Sequence, residues 1–185
     1  RATADGIHEL VAKYPGLTPV DPAHIEEWFN DLVWGPEKIT AEDERIRSTR
    51  NVNRTTEISA DWSSINDIYE AVIPRIRAEI NGITLLGGHS SHSYINGTNM
   101  YFNYFYDLID CEPEEENDKY YFKIIDIICE ETLRFGGSIV HHHGIGKARA
   151  KWVREEYGTS FPMLQALKTT FDPNSVMNMG TIIPN

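Results

Sequence analysis

Five of the chain's seven histidines fall in two short runs whose spacing could do chemistry. The second run, His141-His142-His143, follows Gly136-Gly137-Ser138-Ile139-Val140 and leads into Gly144-Ile145-Gly146-Lys147. Three adjacent imidazoles supply groups that change protonation near neutral pH, or neutral ligands for a metal. On a strand, successive side chains alternate between faces, so His141 and His143 would share one face and His142 would take the other. A solvated polar strand end is the structural alternative. An expression tag is not expected, because the run is short, internal and flanked by structured sequence.

The first run is His89-Ser90-Ser91-His92-Ser93-Tyr94. On a helix its His-x-x-His spacing would bring two rings to one metal. Gly87-Gly88 before it and Asn96-Gly97 after it point instead to strand or loop, where an offset of three separates the rings. A metal site drawn from His89, His92 and His141 to His143 is therefore unspecific, and no metal is expected. His92 and Tyr94 would share a strand face, where a neighbouring base lowers the cost of ionising the phenol. The alternative for Tyr94 is a half-buried aromatic with its hydroxyl hydrogen-bonded. Gly144 to Lys147 lacks the spacing and the Ser or Thr of a phosphate loop. It reads as a helix start whose free N–H groups attract an anion, with Lys147 and Arg149 adding charge. A plain helix start with solvated lysines is the alternative.

The elements that must position these groups follow from periodicity. Ile7 to Tyr14 reads as a helix stopped by Pro15-Gly16. Asp21-Pro22 caps a second helix with Ile25, Trp28, Phe29 and Leu32 on one face. Glu37 to Arg50 is polar and reads as a solvated charged stretch. Asn51 to Ser59 is a strand. A long helix then carries Ile65, Ile68, Tyr69, Val72, Ile76 and Ile80, kinked at Pro74 and stopped at Asn81-Gly82. Strands from Ile83 and over Thr98 to Tyr106, a helix over 119–135 and the histidine strand complete the set. The order is βαββαβ, an α+β ferredoxin-like antiparallel sheet with helices on one face and helical N-terminal and C-terminal extensions. The strands at 51–59 and 138–143 are expected side by side in its centre. The expected division is a helical lead-in over 1–50, the ferredoxin-like domain over 51–143 and a helical closing segment over 144–185. The apolar, extended end, Val176 to Ile183, is expected to be disordered or to fold against a neighbouring molecule.

Composition sets outer bounds. With 41% hydrophobic and 24% charged residues the 185-residue chain is of ordinary globular type. Its net charge of −11 argues against a nucleic-acid or anionic-membrane surface. Two cysteines, Cys111 and Cys129, give no disulfide framework. No apolar run reaches membrane-spanning length and no secretory pattern opens the chain, so a cytoplasmic protein is expected. An opening Arg1 in place of Met suggests a piece of a longer protein.

Taken together, Glu57-x-Ser59-Ala60-x-Trp62, Ser93-Tyr94-x-x-Gly97 followed by Tyr101-Phe102, Gly136-Gly137-Ser138 with His-His-His-Gly and Gly-Lys-x-Arg-x-x-Trp, and Asp172-Pro173-Asn174 carry a resemblance. The C-terminal half resembles the cap and closing segment of the FAD-linked oxidases of the vanillyl-alcohol oxidase type, nearest to the alkyldihydroxyacetonephosphate synthases. The resemblance implies FAD as an electron sink. In that family the histidine strand and the tyrosine before the glycine line the substrate side of the flavin. It makes Tyr94, His141, His142 and His143 active-site groups, with His142 or Tyr94 taking a proton from the substrate, and His143 and Asn178 contacts to the cofactor. Lys147 and Arg149 would suit a small-molecule substrate carrying a phosphate or carboxylate. In the synthases the acyl group of an acyl-dihydroxyacetone phosphate is replaced by a long-chain alcohol.

The related D-2-hydroxyacid dehydrogenases have Glu-His-Gly where this chain has His142-His143-Gly144, and a metal histidine near Met100 and Tyr101. Both ligands are replaced here, which argues against a metal-dependent hydroxyacid dehydrogenase. Asn178-Met179-Gly180 resembles the Asn-Pro-Gly of those dehydrogenases more than the synthases, so the subfamily stays open. FAD in this family is held mainly by an N-terminal domain of the same protein, the partner these residues are expected to need, with a homodimer as a further arrangement. Alone they are expected to bind FAD poorly or not at all. The reading from another class is a free-standing ferredoxin-like metal- or ligand-binding module without catalysis.

Overall fold

A computed structural model describes residues 2–18, 20–32 and 34–183. Packing divides the chain into two compact units, one up to Glu44 and one from Arg45 onward. In the first, α1 (Ala2–Val11) and α2 (Pro22–Asp31) carry amphipathic patterns but bury no residue. Asp21 caps α2, its side chain accepting from the Ala23 N–H at 2.9 Å, and Pro22 occupies the first turn where a missing N–H costs nothing. The stretch read only as solvated and charged, with no element assigned, is a helix, α3 (Pro36–Thr49). Only Ile46 on it is buried, so the apolar period that reveals a helix is absent from its sequence.

The second unit is built on a three-stranded antiparallel sheet of β1 (Asn51–Asp61), β2 (Ile83–His89) and β3 (Gly97–Asp107), in the order β1-β3-β2. The register runs from Asn51 opposite Asp107 to Asp61 opposite Gly97. Val52, Ile58, Phe102, Tyr104 and Tyr106 pack on α4 (Ile65–Glu79) and α5 (Phe122–Arg134) through Ile68, Val72, Ile76, Ile124 and Ile128. Side chains alternate across a strand, so Glu57, Tyr101 and Asn103 occupy the face away from these helices. A smaller cluster joins Ile125 and Cys129 of α5 to Ile139.

The histidine segment is not a central strand. Its pairing with β1 is one bridge, Ser59 with Ser138, at N···O distances of 3.0 and 2.8 Å on the outer edge of β1. The central position belongs to β3, and this one bridge is what stands where a fourth strand was expected. Nor does a helix open at Gly144 to Lys147. Gly144 and Gly146 lie at φ +81 and +58, left-handed values that a right-handed first turn cannot contain, and helical geometry begins only at Ala150. The short α6 (Val153–Tyr157) and α7 (Phe161–Phe171) follow. The end of the chain turns back on its own unit instead of standing free. The Asp172 carboxylate accepts from the Val176 and Met177 N–H groups at 2.9 and 3.0 Å, and the Ile182 N–H reaches the Gly146 carbonyl at 3.2 Å. Val176, Met177 and Met179 nevertheless remain exposed. Among the described residues no helix is long and apolar enough to cross a membrane.

Close approach of β1 to β3 makes one glycine obligatory. A Cβ on Gly97 would lie 2.2 Å from the Ala60 carbonyl oxygen, whereas one on Gly87 would meet nothing within 4 Å. Gly97→Ala is expected to destabilise the chain by about 1–3 kcal/mol. Gly87→Ala should change stability by about 1 kcal/mol or less. Urea unfolding of the two variants side by side measures the contrast, and equal midpoints would remove the claim of a close approach.

Candidate active site

A buried carboxylate organises the histidine segment. Glu57 has no exposed surface, and an unpaired carboxylate there would cost several kcal/mol. The segment supplies its partners. The His142 N–H donates to Oε1 at 2.8 Å, and those of His141 and His143 donate to Oε2 at 3.1 and 3.4 Å. Three consecutive N–H groups can converge on one anion only if the backbone curls, because in a strand successive N–H groups point to opposite sides. That is the physical reason residues 141–143 leave the sheet. Burial pushes the Glu57 carboxyl up, but the three backbone N–H groups outweigh it and hold the group below its ordinary value.

The same carboxylate orients two rings. The Nδ1 atoms of His142 and His141 lie 2.9 and 3.1 Å from Glu57 Oε1. Their far nitrogens meet tyrosines, with Tyr94 Oη 2.8 Å from His141 Nε2 and Tyr101 Oη 2.9 Å from His142 Nε2. Tyr101 sits opposite Glu57 in the β1–β3 register and stacks on His89 at 4.9 Å between centroids. Tyr94 is held by its own loop, its N–H on the Gly97 carbonyl at 2.8 Å and its carbonyl accepting the Trp62 indole N–H at 3.0 Å. Buried Asn99 positions His92 by accepting the Ser91 and His92 N–H groups at 3.1 and 3.0 Å. His143 is driven below its ordinary pKa by burial first and by His142, Arg149 and His141, against the pull of Glu57.

Tyr94, His141, His142 and His143 therefore come together, and a cavity of about 250 Å³ opens beside Tyr94 and His141, with Ser59, Asp61, Asn96 and Ser138 in its walls. The other residues singled out in the sequence lie outside this cavity. Arg149 is buried, one guanidinium nitrogen donating to the carbonyls of Glu57 at 2.9 Å and Ile139 at 2.6 Å. Its charge is spent holding β1 to the histidine segment. Lys147 lines a separate cavity of about 370 Å³ with Phe122, Asp126 and Lys151. Asn178 lines a third, of about 290 Å³, with Leu164, Phe171 and Met177. Glu57, Tyr101 and Asn99 were missed as site residues by sequence reasoning. Alternation along β3 puts Tyr101 and Asn103 on one face, but which face the histidines cover is not written in any periodicity. Ring nitrogens of His92, His141 and His142 lie within 4.8 Å of one another, a donor set a metal such as zinc accepts. The Nε2 atoms of His141 and His142 are already bonded to tyrosines.

The family model for FAD linked oxidases, C-terminal domain, matches residues 29–182. The chain is 56% identical over 187 aligned positions to the uncharacterized FAD-linked oxidoreductase YgcU of Escherichia coli (strain K12), covering all of this chain and 39% of that protein. It is 30% identical over 98 residues to the alkyldihydroxyacetonephosphate synthase of Dictyostelium discoideum, covering 52% of this chain and 15% of the relative. Against the D-2-hydroxyglutarate dehydrogenase of Pseudomonas putida it is 41% identical over 59 residues, 32% of this chain and 6% of the relative.

Acid should loosen the site in two stages. His143 and Glu57 both have folded pKa values below their unfolded ones, about 6.5 and 4.5, so each contributes stability above its unfolded value and loses it as pH falls through the folded one. The urea midpoint of the wild type is expected to decline first below about pH 6.5 and again below about pH 4.5. In His143→Asn the first decline should shrink while the second persists. An unchanged first decline would assign that loss to another group.

Proposed function

The chain belongs to the family of FAD linked oxidases, C-terminal domain, and from that premise we propose that it is the substrate-side portion of an FAD-dependent oxidoreductase, contributing tyrosine and histidine to proton transfer. The observation that carries this reading is the pair of hydrogen bonds from Tyr94 to His141 and from Tyr101 to His142, both backed by one buried carboxylate. The chain spans 39% of the length of the Escherichia coli relative. The rest of the whole protein is where an FAD-binding domain would lie, and exposed Met163, Leu167, Phe171 and Val176 are apolar surface suited to meeting such a domain.

The residues present fit one side of a flavin site and not the other. Phenol and imidazole groups beside a polar cavity suit the polar edge of a substrate against a ring system. The three N–H groups of His141 to His143, which would suit a phosphate, are taken by Glu57. The pyrophosphate is thus left to the other domain. Bound FAD would supply the acceptor for an electron pair from the substrate.

In this reading Tyr94 takes a proton from the substrate while passing its own to His141 Nε2, and the resulting imidazolium is stabilised by Glu57. Tyr101 and His142 form an equivalent pair, with His142 Nε2 as the base. His143, whose ring meets Tyr101 edge-on while the Tyr101 hydroxyl is on His142, stays outside the exchange. The walls of the Tyr94 cavity include Asp61 and, among the described residues, no lysine or arginine. A hydroxylated neutral substrate suits that cavity better than an anion, and a phosphate or carboxylate would have to reach Lys147 in the cavity beside Phe122.

The absorption spectrum of the full-length protein should show bound flavin. Tyr94→Phe and His142→Ala should each keep that spectrum and lower kcat by about 10²-fold or more with KM little changed. Full activity in both variants with flavin bound would make the histidine segment structural, and loss of flavin in His142→Ala would move that residue to cofactor binding. A second reading, a metal-holding module without catalysis, draws on the His92, His141 and His142 cluster. Stoichiometric zinc and no flavin in the purified full-length protein would favour it.

A further inference from the structure

His141 and His142 are neighbours in sequence, yet their Nδ1 atoms lie only 2.9 Å apart and 3.1 and 2.9 Å from the same oxygen, Oε1 of Glu57. Three polar atoms at the corners of a nearly equilateral triangle restrict where the protons sit. If His141 donated to His142 Nδ1, that nitrogen would stand 2.9 Å from the carboxylate oxygen with no proton between them. If His142 alone donated to Glu57, the His141 lone pair would face that oxygen at 3.1 Å. Either arrangement leaves a nitrogen without a proton against the oxygen of a buried anion, where repulsion is weakly screened. Only two Nδ1–H groups, both aimed at Oε1, avoid it. Each neutral ring has one N–H, so both Nε2 atoms must then be acceptors. Each meets a tyrosine hydroxyl, the donor an acceptor requires.

We propose that Glu57 is the positioning residue of the site, locking His141 and His142 in the Nδ1–H tautomer so that both Nε2 atoms stand ready to take a proton from Tyr94 and Tyr101. Free neutral histidine prefers the opposite Nε2–H form, in which neither ring could accept from its tyrosine. Glu57 can do this for two rings because it lies directly across from Tyr101 on the face of β1 turned away from the helices, and because the three backbone N–H groups keep it charged and immobile. The catalytic consequence rests on the reading that the tyrosine–histidine pairs move protons. The tautomers do not.

The test uses the full-length protein carrying ¹⁵N-labelled histidine, with imidazole nitrogen shifts read by NMR at a pH where the rings are neutral. Both rings are expected as Nδ1–H. Glu57→Gln, which keeps the volume but presents an N–H₂ to the converging donors, should return at least one ring to Nε2–H. The same variant should keep flavin absorbance and lower kcat by about 10²-fold or more at near-constant KM. Wild-type Nε2–H at either ring overturns the proposal. The Tyr94→Phe, Tyr101→Phe double variant, which leaves Glu57 untouched, should retain Nδ1–H at both rings, and reversion there would show that the tyrosines set the tautomers and overturn it too. This second variant serves if Glu57→Gln does not fold. Altered tautomers in Glu57→Gln with wild-type kcat would sink the catalytic reading and reduce Glu57 to a structural anchor.

Discussion

A carboxylate buried without solvent contact has to be surrounded by donors, and in this protein Glu57 recruits them from a segment 84 to 86 residues further along the chain. The requirement shapes both parties. β1 can hold Glu57 on its outer face because its neighbours Thr56 and Ile58 already bind it to the core. The histidine segment gives up strand geometry to deliver three N–H groups to one point. Arg149 closes the arrangement from beneath, joining the Glu57 and Ile139 carbonyls. The site is thus a consequence of satisfying one buried charge.

The two faces of the sheet have divided roles. The face toward α4 and α5 is apolar and supplies rigidity through Phe102, Tyr104 and Tyr106, with the Tyr104 hydroxyl satisfied by Thr56 at 2.7 Å. Burial raises the Tyr104 and Tyr106 hydroxyls far above their ordinary pKa, and their partners are Thr56 and Glu116 on the core side of the sheet. The other face presents Tyr101 to His142 and His143, with His89 stacked on Tyr101 and bonded to Asn103. Two tyrosines three residues apart, Tyr101 and Tyr104, therefore do different work because an odd offset on a strand reverses the face. The turn between β2 and β3 brings in Tyr94 and His92, braced by Trp62 and Asn99.

Much of the architecture was legible from local pattern. The apolar period of 3.6 over Ile65 to Ile76 located α4, alternation over Met100 to Tyr106 located β3, Asp21-Pro22 located the start of α2, and each was recovered to within a few residues. These elements bury one side against a core, so their period is written in residue types. The charged helix α3 buries only Ile46 and left no such trace.

The sequence by itself determined which residue types could do chemistry and placed the elements that bury one face, α2, α4 and β3 among them, since both depend on side chains close along the chain. It brought out Tyr94 and His141 to His143 as a group, and the motifs around them carried the family. Tertiary structure alone decided that the histidine segment is no strand, that Arg149 is buried beneath the site, and that Glu57 and Tyr101 stand within it. Each depends on contacts across tens of residues. A β-branched run ending in histidines has strand propensity, and a buried carboxylate with three N–H donors outweighs that propensity once the fold has brought it within reach.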